Sequence, residues 1–291
     1  MIPASFDYVA PRNLDEGIRF LEEHGDDAKV LAGGHSLIPL MRLRLATPKY
    51  LLDINRIPGL EYIHESDHHL HIGALTRYAD VEDSLLIQSR YSALSDVAGH
   101  IADPLVRNMG TVGGNICHSD PANDLPATML ALKATMVAVG PGGERVISAE
   151  EFFVDTFETA LKPTEILREV HIPRTRVGTG SAYMKLESRA GDLAVVGVAV
   201  RLTLDAQDAC ESVGLGLTAV GPKVIQPKAA EAALIGKKLS DDEIRQSASL
   251  AAQEAQPTSD LRGTAEYKRE MVRTLAARAL RRAVERARGE T

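Results

Sequence analysis

The sequence predicts an α+β protein on three observations: strands that run into glycine turns and helix starts in the first two thirds, long strand candidates after them, and helices alone at the end. No fixed-period repeat or low-complexity tract interrupts that order. At 291 residues the chain has room for two or three compact units, since single domains commonly run roughly 100 to 200 residues. Hydrophobic residues at 44% and charged residues at 25% are those of an ordinary globular chain, so a packed core is expected rather than disorder.

The first helix is announced by Asn13-Leu14-Asp15-Glu16, an N-cap with an acid three residues on, followed by apolar Ile18, Phe20 and Leu21 and closed by His24-Gly25. Lys29-Val30-Leu31 reads as a short buried strand feeding Ala32-Gly33-Gly34-His35-Ser36. Leu37 to Leu45 has near-helical spacing, with Pro39 confined to an early helical turn. A second strand, Tyr50 to Ile54, ends in Asn55-Arg56-Ile57-Pro58-Gly59, whose turn residues mark a subdomain boundary.

Beyond that boundary, Glu61 to Glu65 and His69 to Gly73 flank Ser66-Asp67-His68 as a hairpin, and Thr76 is placed to open a helix. Helix continues through Tyr91 to Ile101 until Asp103-Pro104, and a second glycine stretch follows at Gly110-Thr111-Val112-Gly113-Gly114-Asn115. Thr135 to Val139 and Arg145 to Ile147 flank a Gly140–Gly143 loop, Ser148 to Glu151 has the form of a capping box, and Glu165 to Ile172 closes the unit as a strand. The last third gives strands at Ser181 to Leu186, Leu193 to Leu204 and Cys210 to Val220. Ser240 then caps a helix running to Gln256-Pro257, and a terminal helix covers Glu266 to Arg288.

A net charge of -7 gives no general attraction for phosphate backbones, so nucleic acid is not expected as a partner. The basic stretch Arg273 to Arg288 is read as a solvated face or a subunit contact. The longest apolar run, Leu193 to Val200, is too short to span a bilayer, and the opening residues lack a basic and then hydrophobic leader; a cytoplasmic location is expected. The two cysteines, Cys117 and Cys210, form no C-x-x-C pair, so the chain cannot house an iron–sulfur cluster, which needs about four such ligands.

Chemistry concentrates in the two glycine loops. Backbone amides reach a pyrophosphate closely only where side chains are absent, and a helix start adds partial positive charge. Ser36, Thr111 and Asn115 add donors without net charge. Tight turning alone also accounts for each Gly-Gly pair. Neither loop matches the Rossmann or Walker pattern, so Asp53, although spaced like a Rossmann ribose acid, is not assigned that role.

Other residues invite different readings. His64, His68, His69 and His71 suggest a metal site, but strand alternation splits them and favours a solvated hairpin. His35 is read as a contributor of a backbone amide rather than as a general base, and Cys117 as a buried small thiol.

Ala32-Gly33-Gly34-His35-Ser36-Leu37-Ile38-Pro39-Leu40-Met41 and Thr111-Val112-Gly113-Gly114-Asn115 resemble the flavin pyrophosphate loops of carbon monoxide dehydrogenase medium subunits and xanthine dehydrogenase flavin domains. The resemblance runs from Ile2-Pro3-Ala4-Ser5-Phe6-Asp7-Tyr8 to Ala265-Glu266-Tyr267 and the terminal helix. It implies a PCMH-type FAD-binding region of two subdomains, residues 1–56 and 57–175, then a carbon monoxide dehydrogenase flavoprotein-like domain, residues 178–288, combining an antiparallel sheet with a helical bundle.

FAD would lie between these units, contacted by Ala32, Gly33, Gly34, His35 and Ser36 and by Thr111, Val112, Gly113, Gly114 and Asn115. By the same resemblance Asp124, at the end of Asp120-Pro121-Ala122-Asn123-Asp124, contacts the cofactor, and Leu167 and Lys185 sit on two further flavin-contacting strands. No catalytic residue or metal ligand is assigned. One departure bears on the electron acceptor: Leu193 follows Gly191-Asp192 where carbon monoxide dehydrogenase medium subunits often carry tyrosine.

The resemblance further implies a large partner subunit with the molybdenum cofactor and a small one with two iron–sulfur clusters, assembled as a dimer of heterotrimers. This chain would then be an oxidoreductase subunit passing electrons through FAD to an external acceptor. A self-contained flavoprotein oxidase or reductase, and a non-catalytic nucleotide-binding assembly protein, remain the alternatives.

Overall fold

The computed structural model describes residues 2–290. Its first unit comprises β1 (Asp7–Val9), α1 (Leu14–His24), β2 (Ala28–Leu31), α2 (Leu37–Arg42) and β3 (Tyr50–Asp53). The strands are parallel, in the order β1-β3-β2. Asn13 Oδ1 accepts the Glu16 N–H at 2.9 Å while the Glu16 carboxylate accepts the Arg12 N–H at 2.8 Å, so the predicted cap closes on both sides. Ile18 and Leu21, one turn apart, bury the inner face of α1. The strand β1 was not expected, because three residues are too few for alternation to show.

The middle unit contains β4 (Ile63–Glu65), β5 (His69–Gly73), α3 (Tyr78–Asp83), α4 (Leu85–Arg90), α5 (Ser92–His100), α6 (Pro104–Arg107), α7 (Val112–His118) and α8 (Asp124–Ala131). After them come β6 (Thr135–Gly140), β7 (Gly143–Ser148), α9 (Ala149–Phe152), β8 (Phe153–Asp155), β9 (Glu158–Thr159) and β10 (Ile166–Pro173). Five strands form an antiparallel sheet in the order β4-β5-β10-β6-β7. Leu70, Ile72, Val170 and Ile172 point into the core, and the histidines that alternate with them point away. Thr76 does not open α3, which starts after Arg77; its hydroxyl instead donates to Tyr62 O at 2.9 Å and accepts the Tyr62 N–H at 3.2 Å.

The last unit begins with an antiparallel sheet of β11 (Thr179–Leu186), β12 (Val196–Leu204) and β13 (Cys210–Thr218). Helices α10 (Lys228–Ala232), α11 (Asp241–Glu254) and α12 (Ala265–Arg288) follow, with α12 packed on β11 and β12. The expected strand from Leu193 starts only at Val196, which leaves Leu193 in the preceding segment, 39% exposed. No helix among the described residues is long and apolar enough to cross a membrane.

Helix α8 joins the middle and last units. All of its residues are buried, so it carries no amphipathic stripe and has the composition of a helix covered on every side. Its approach to β13 depends on missing side chains: a Cβ at Gly214 would sit 2.2 Å from Ala131 O, and one at Gly216 would sit 1.9 Å from Ala127 O. That close packing brings Asp124, the first residue of α8, against Tyr183 and Lys185 of β11.

Candidate functional site

A cleft of about 540 Å³ opens where the three units meet. Every candidate contact residue lines it except Val112, whose side chain is buried in the core of the middle unit. The first loop leaves β2 at Ala32 and turns through Gly34, which has φ 76°, a left-handed conformation that L side chains resist. Among the described residues, no hydrogen bond engages the amides of Gly33, Gly34, His35, Ser36 or Leu37. The Ser36 hydroxyl is likewise free of any capping bond. This run of donors beside a helix start suits an anion.

The second loop is built the other way. Thr111 Oγ1 accepts the Gly114 N–H at 3.1 Å, and the amides of Val112, Gly113 and Asn115 are bonded to Thr76 O, Ala74 O and Thr111 O at 2.9, 2.9 and 3.1 Å. No amide from 112 to 115 remains for a ligand. Their glycines permit contact instead: a Cβ at Gly113 would lie 2.7 Å from Ala74 O. What this loop offers the cleft is side-chain chemistry, because Asn115 Oδ1 is buried without a hydrogen-bond partner and requires a donor.

The two loops are stapled together by residues that sequence reasoning did not single out. Asn55 Nδ2 donates to Ala32 O at 2.8 Å, Arg77 donates to Asn55 Oδ1 at 3.0 Å, and the same guanidinium donates to Met109 O at 2.8 Å. Asp53 anchors this chain by accepting from Tyr8 Oη at 2.6 Å and from the Asn55 N–H at 2.9 Å. It does not line the cleft. A short polar run between a strand and a Pro-Gly turn was the one available signal for Asn55.

Opposite the loops, Asp124 is 5% exposed and accepts from Lys185 Nζ at 3.0 Å and from the Tyr183 hydroxyl. Burial pushes the Asp124 carboxyl above its ordinary pKa, with Lys185 and Tyr183 pulling the other way. Lys185 Nζ also donates to His100 O at 3.2 Å and lies 3.3 Å from Glu187, so its charge is already matched. Leu167 lines the apolar part of the wall, and Leu193 lines it with Gly191 and Asp192. Burial pushes the Cys117 thiol up to about 12, which makes it inert as a nucleophile, and lowers the pKa of its neighbour His118.

Free amides on one wall, an unpartnered amide oxygen on another and apolar side chains between them fit an elongated anionic ligand with a flat apolar portion. The site thus defines a dinucleotide-binding protein outside the Rossmann and Walker classes.

The chain belongs to the family of FAD-binding domains in molybdopterin dehydrogenases, whose family model matches residues 4–175, and residues 181–283 match the carbon monoxide dehydrogenase flavoprotein C-terminal domain. It is 41% identical to the carbon monoxide dehydrogenase medium chain of Hydrogenophaga pseudoflava over 96% of this chain and 97% of that one. It is 40% identical to the 6-hydroxypseudooxynicotine dehydrogenase complex subunit alpha of Paenarthrobacter nicotinovorans, over 99% and 97%. Among solved structures, a carbon monoxide dehydrogenase from Hydrogenophaga pseudoflava that lacks the Mo-pyranopterin moiety of its molybdenum cofactor superposes with a TM-score of 0.94, at 43% identity, covering 97% of this chain and 98% of that one.

Proposed function

We propose that this chain is the electron-exit subunit of a molybdenum hydroxylase complex, taking electrons from iron–sulfur clusters on a small partner and delivering them to an external acceptor. A large partner would hold the molybdenum cofactor and oxidise substrate, in a dimer of heterotrimers. The observation that carries this reading is the character of the cleft: its free groups bind and orient, while its most buried acid, Asp124, is tied to Lys185 and Tyr183. Such a site suits the holding of a cofactor better than proton transfer by Asp124.

Residues 1–56, 57–175 and 178–288 form the three walls in this reading. The amides from Gly33 to Leu37 would hold the pyrophosphate, with His35 and Ser36 contributing through the same run. Thr111, Val112, Gly113 and Gly114 fix the second wall, and Asn115 Oδ1 accepts from the ligand. Asp124 has acceptor capacity left beyond its two partners and would orient the nucleotide, while Leu167 and Lys185 back the flavin. When bound, FAD supplies reversible two-electron chemistry and can pass electrons onward. Leu193, which lines the cleft where carbon monoxide dehydrogenase medium subunits often carry tyrosine, would bear on the choice of acceptor.

Anaerobic stopped-flow absorbance tests the assignment. Substrate of the complex should leave the flavin band of the isolated chain unchanged, and adding the two partner subunits should produce rapid bleaching. Rapid bleaching of the isolated, metal-free chain would show that it oxidises substrate by itself and is a self-contained oxidase.

A further inference from the structure

The outer face of the middle sheet gathers groups that the cleft does not use. In register across β4, β5 and β10, His64 stands opposite His71 and His71 opposite His171. Their rings touch: His64 stacks on His71 with centroids 4.5 Å apart, and His71 meets His171 at 4.3 Å. Glu169 lies one pleat away on the same face, with Oε2 3.2 Å from His71 Nδ1 and Oε1 3.2 Å from His171 Nε2. The hairpin histidines taken alone are divided by alternation, but Glu169, 98 residues beyond His71, completes the cluster from another strand.

We propose that His71, Glu169 and His171 form a binding site for a divalent transition-metal ion of the Zn²⁺ type, separate from the flavin cleft. None of the three lines that cleft. Two imidazoles and a carboxylate are the ligand set of zinc and its neighbours in the first transition row, whereas calcium and magnesium prefer oxygen alone. One donor atom from each residue lies within 4.8 Å of the others, and Zn–N and Zn–O bonds of about 2.0–2.2 Å close that set with small ring rotations.

Two further features prepare the site. His171 Nε2 is buried, and its nearest partner is Glu169 Oε1 at 3.2 Å, in a contact that does not fully satisfy it, so this ring nitrogen can serve as a ligand atom. His71 Nε2 lies 3.1 Å from Ser66 Oγ, which orients the ring and leaves Nδ1 facing the carboxylate, the outer-shell arrangement that metal-binding histidines use. Tyr62 donates to Glu169 Oε2 at 2.7 Å and fixes the carboxylate in turn.

The charges at the site favour a cation. Arg168 contacts Glu169, but it is also ion-paired with Glu144, so one guanidinium faces two carboxylates and the local balance is negative. The side chains of His71 and His171 are each 19% exposed, enough for an ion to enter and for water to fill its remaining coordination positions.

The test uses the full chain as purified, stripped with a chelator and titrated with Zn²⁺ by calorimetry. Expected is one saturable ion per chain, with His171→Ala and His71→Ala each weakening it by about tenfold or more, and His68→Ala, on the hairpin turn outside the set, leaving it unchanged. Zinc K-edge absorption on the unmodified chain reads the same site without a variant and should show a nitrogen and oxygen shell containing two imidazoles. The proposal is overturned by the absence of saturable uptake, by uptake that survives both histidine substitutions, or by sulfur in the zinc shell.

Discussion

Gly33-Gly34 and Gly113-Gly114 each precede or open a helix at the cleft, and each pair lets backbone come close to something. In the first loop the amides beyond the turn stay unengaged, and the glycine at φ 76° aims them outward. In the second, the amides are spent on Ala74, Thr76 and Thr111, and the missing side chains admit neighbouring chain. A pair of glycines at a helix start therefore specifies close approach, and which partner approaches is set by segments remote in sequence. Both loops pack against neighbouring chain, since a Cβ at Gly33 would lie 2.3 Å from Met109 O, but only the first keeps amides free for a ligand.

The largest effect separating them is expected at Gly113. A Cβ there meets both Ala74 Cβ and Ala74 O at 2.7 Å, and neither can move without shifting the chain after β5. Gly113→Val should reach or exceed the upper end of the roughly 1–3 kcal/mol typical of overpacking, lowering the unfolding midpoint with and without FAD. Urea unfolding followed by circular dichroism measures it. An unchanged midpoint would mean that the second loop is not a packing device.

Gly34→Ala sharpens the contrast from the other side. The added Cβ meets the end of the Ile38 side chain at 2.7 Å, a contact that rotation relieves, so the main cost is the left-handed backbone, roughly 1–2 kcal/mol. The loop relaxes and its amides lose their aim, so FAD affinity should fall by about tenfold while global stability falls less than in Gly113→Val. Titration calorimetry with FAD compares them. Full affinity in Gly34→Ala would remove the first loop from pyrophosphate binding.

Much of this was legible in the sequence because it is local. The cap at Asn13, the strand into Ala32-Gly33-Gly34 and the long strands of the last unit each carry their own periodicity or turn chemistry. What could not be read is what depends on two segments meeting. Helix α8 hides because burial on every side erases the amphipathic pattern. The acceptors for the Val112 and Gly113 amides lie on the segment after β5, and Asn55 and Arg77 staple the loops from positions that look like ordinary turn residues. Asp124 and Lys185 came from family resemblance, but their pairing with each other and with Tyr183 required the packing of α8 on the last sheet.

The smallest effect concerns protons at the far end of the second loop's helix. His118 closes α7, lines the cleft and rests against the Phe157 ring at 5.0 Å. Burial lowers its pKa, with Asp120 opposing, so the folded protein keeps the ring neutral to lower pH than the unfolded chain, where histidine titrates near ~6.5. As pH falls, the unfolded chain binds this proton first. The contribution of neutral His118 is therefore complete above about 6.5 and is lost as pH falls through the lower folded-state value. His118→Leu should make stability decline less steeply between pH 7 and 5, by less than the ~1.4 kcal/mol per pH unit that one full proton gives. Urea midpoints across that range for both proteins provide the comparison, which cancels the other histidines. Superimposable slopes would mean that water reaches His118 as freely in the folded state as in the unfolded one, and that the second loop's helix is open at the end where its packing is expected to exclude solvent.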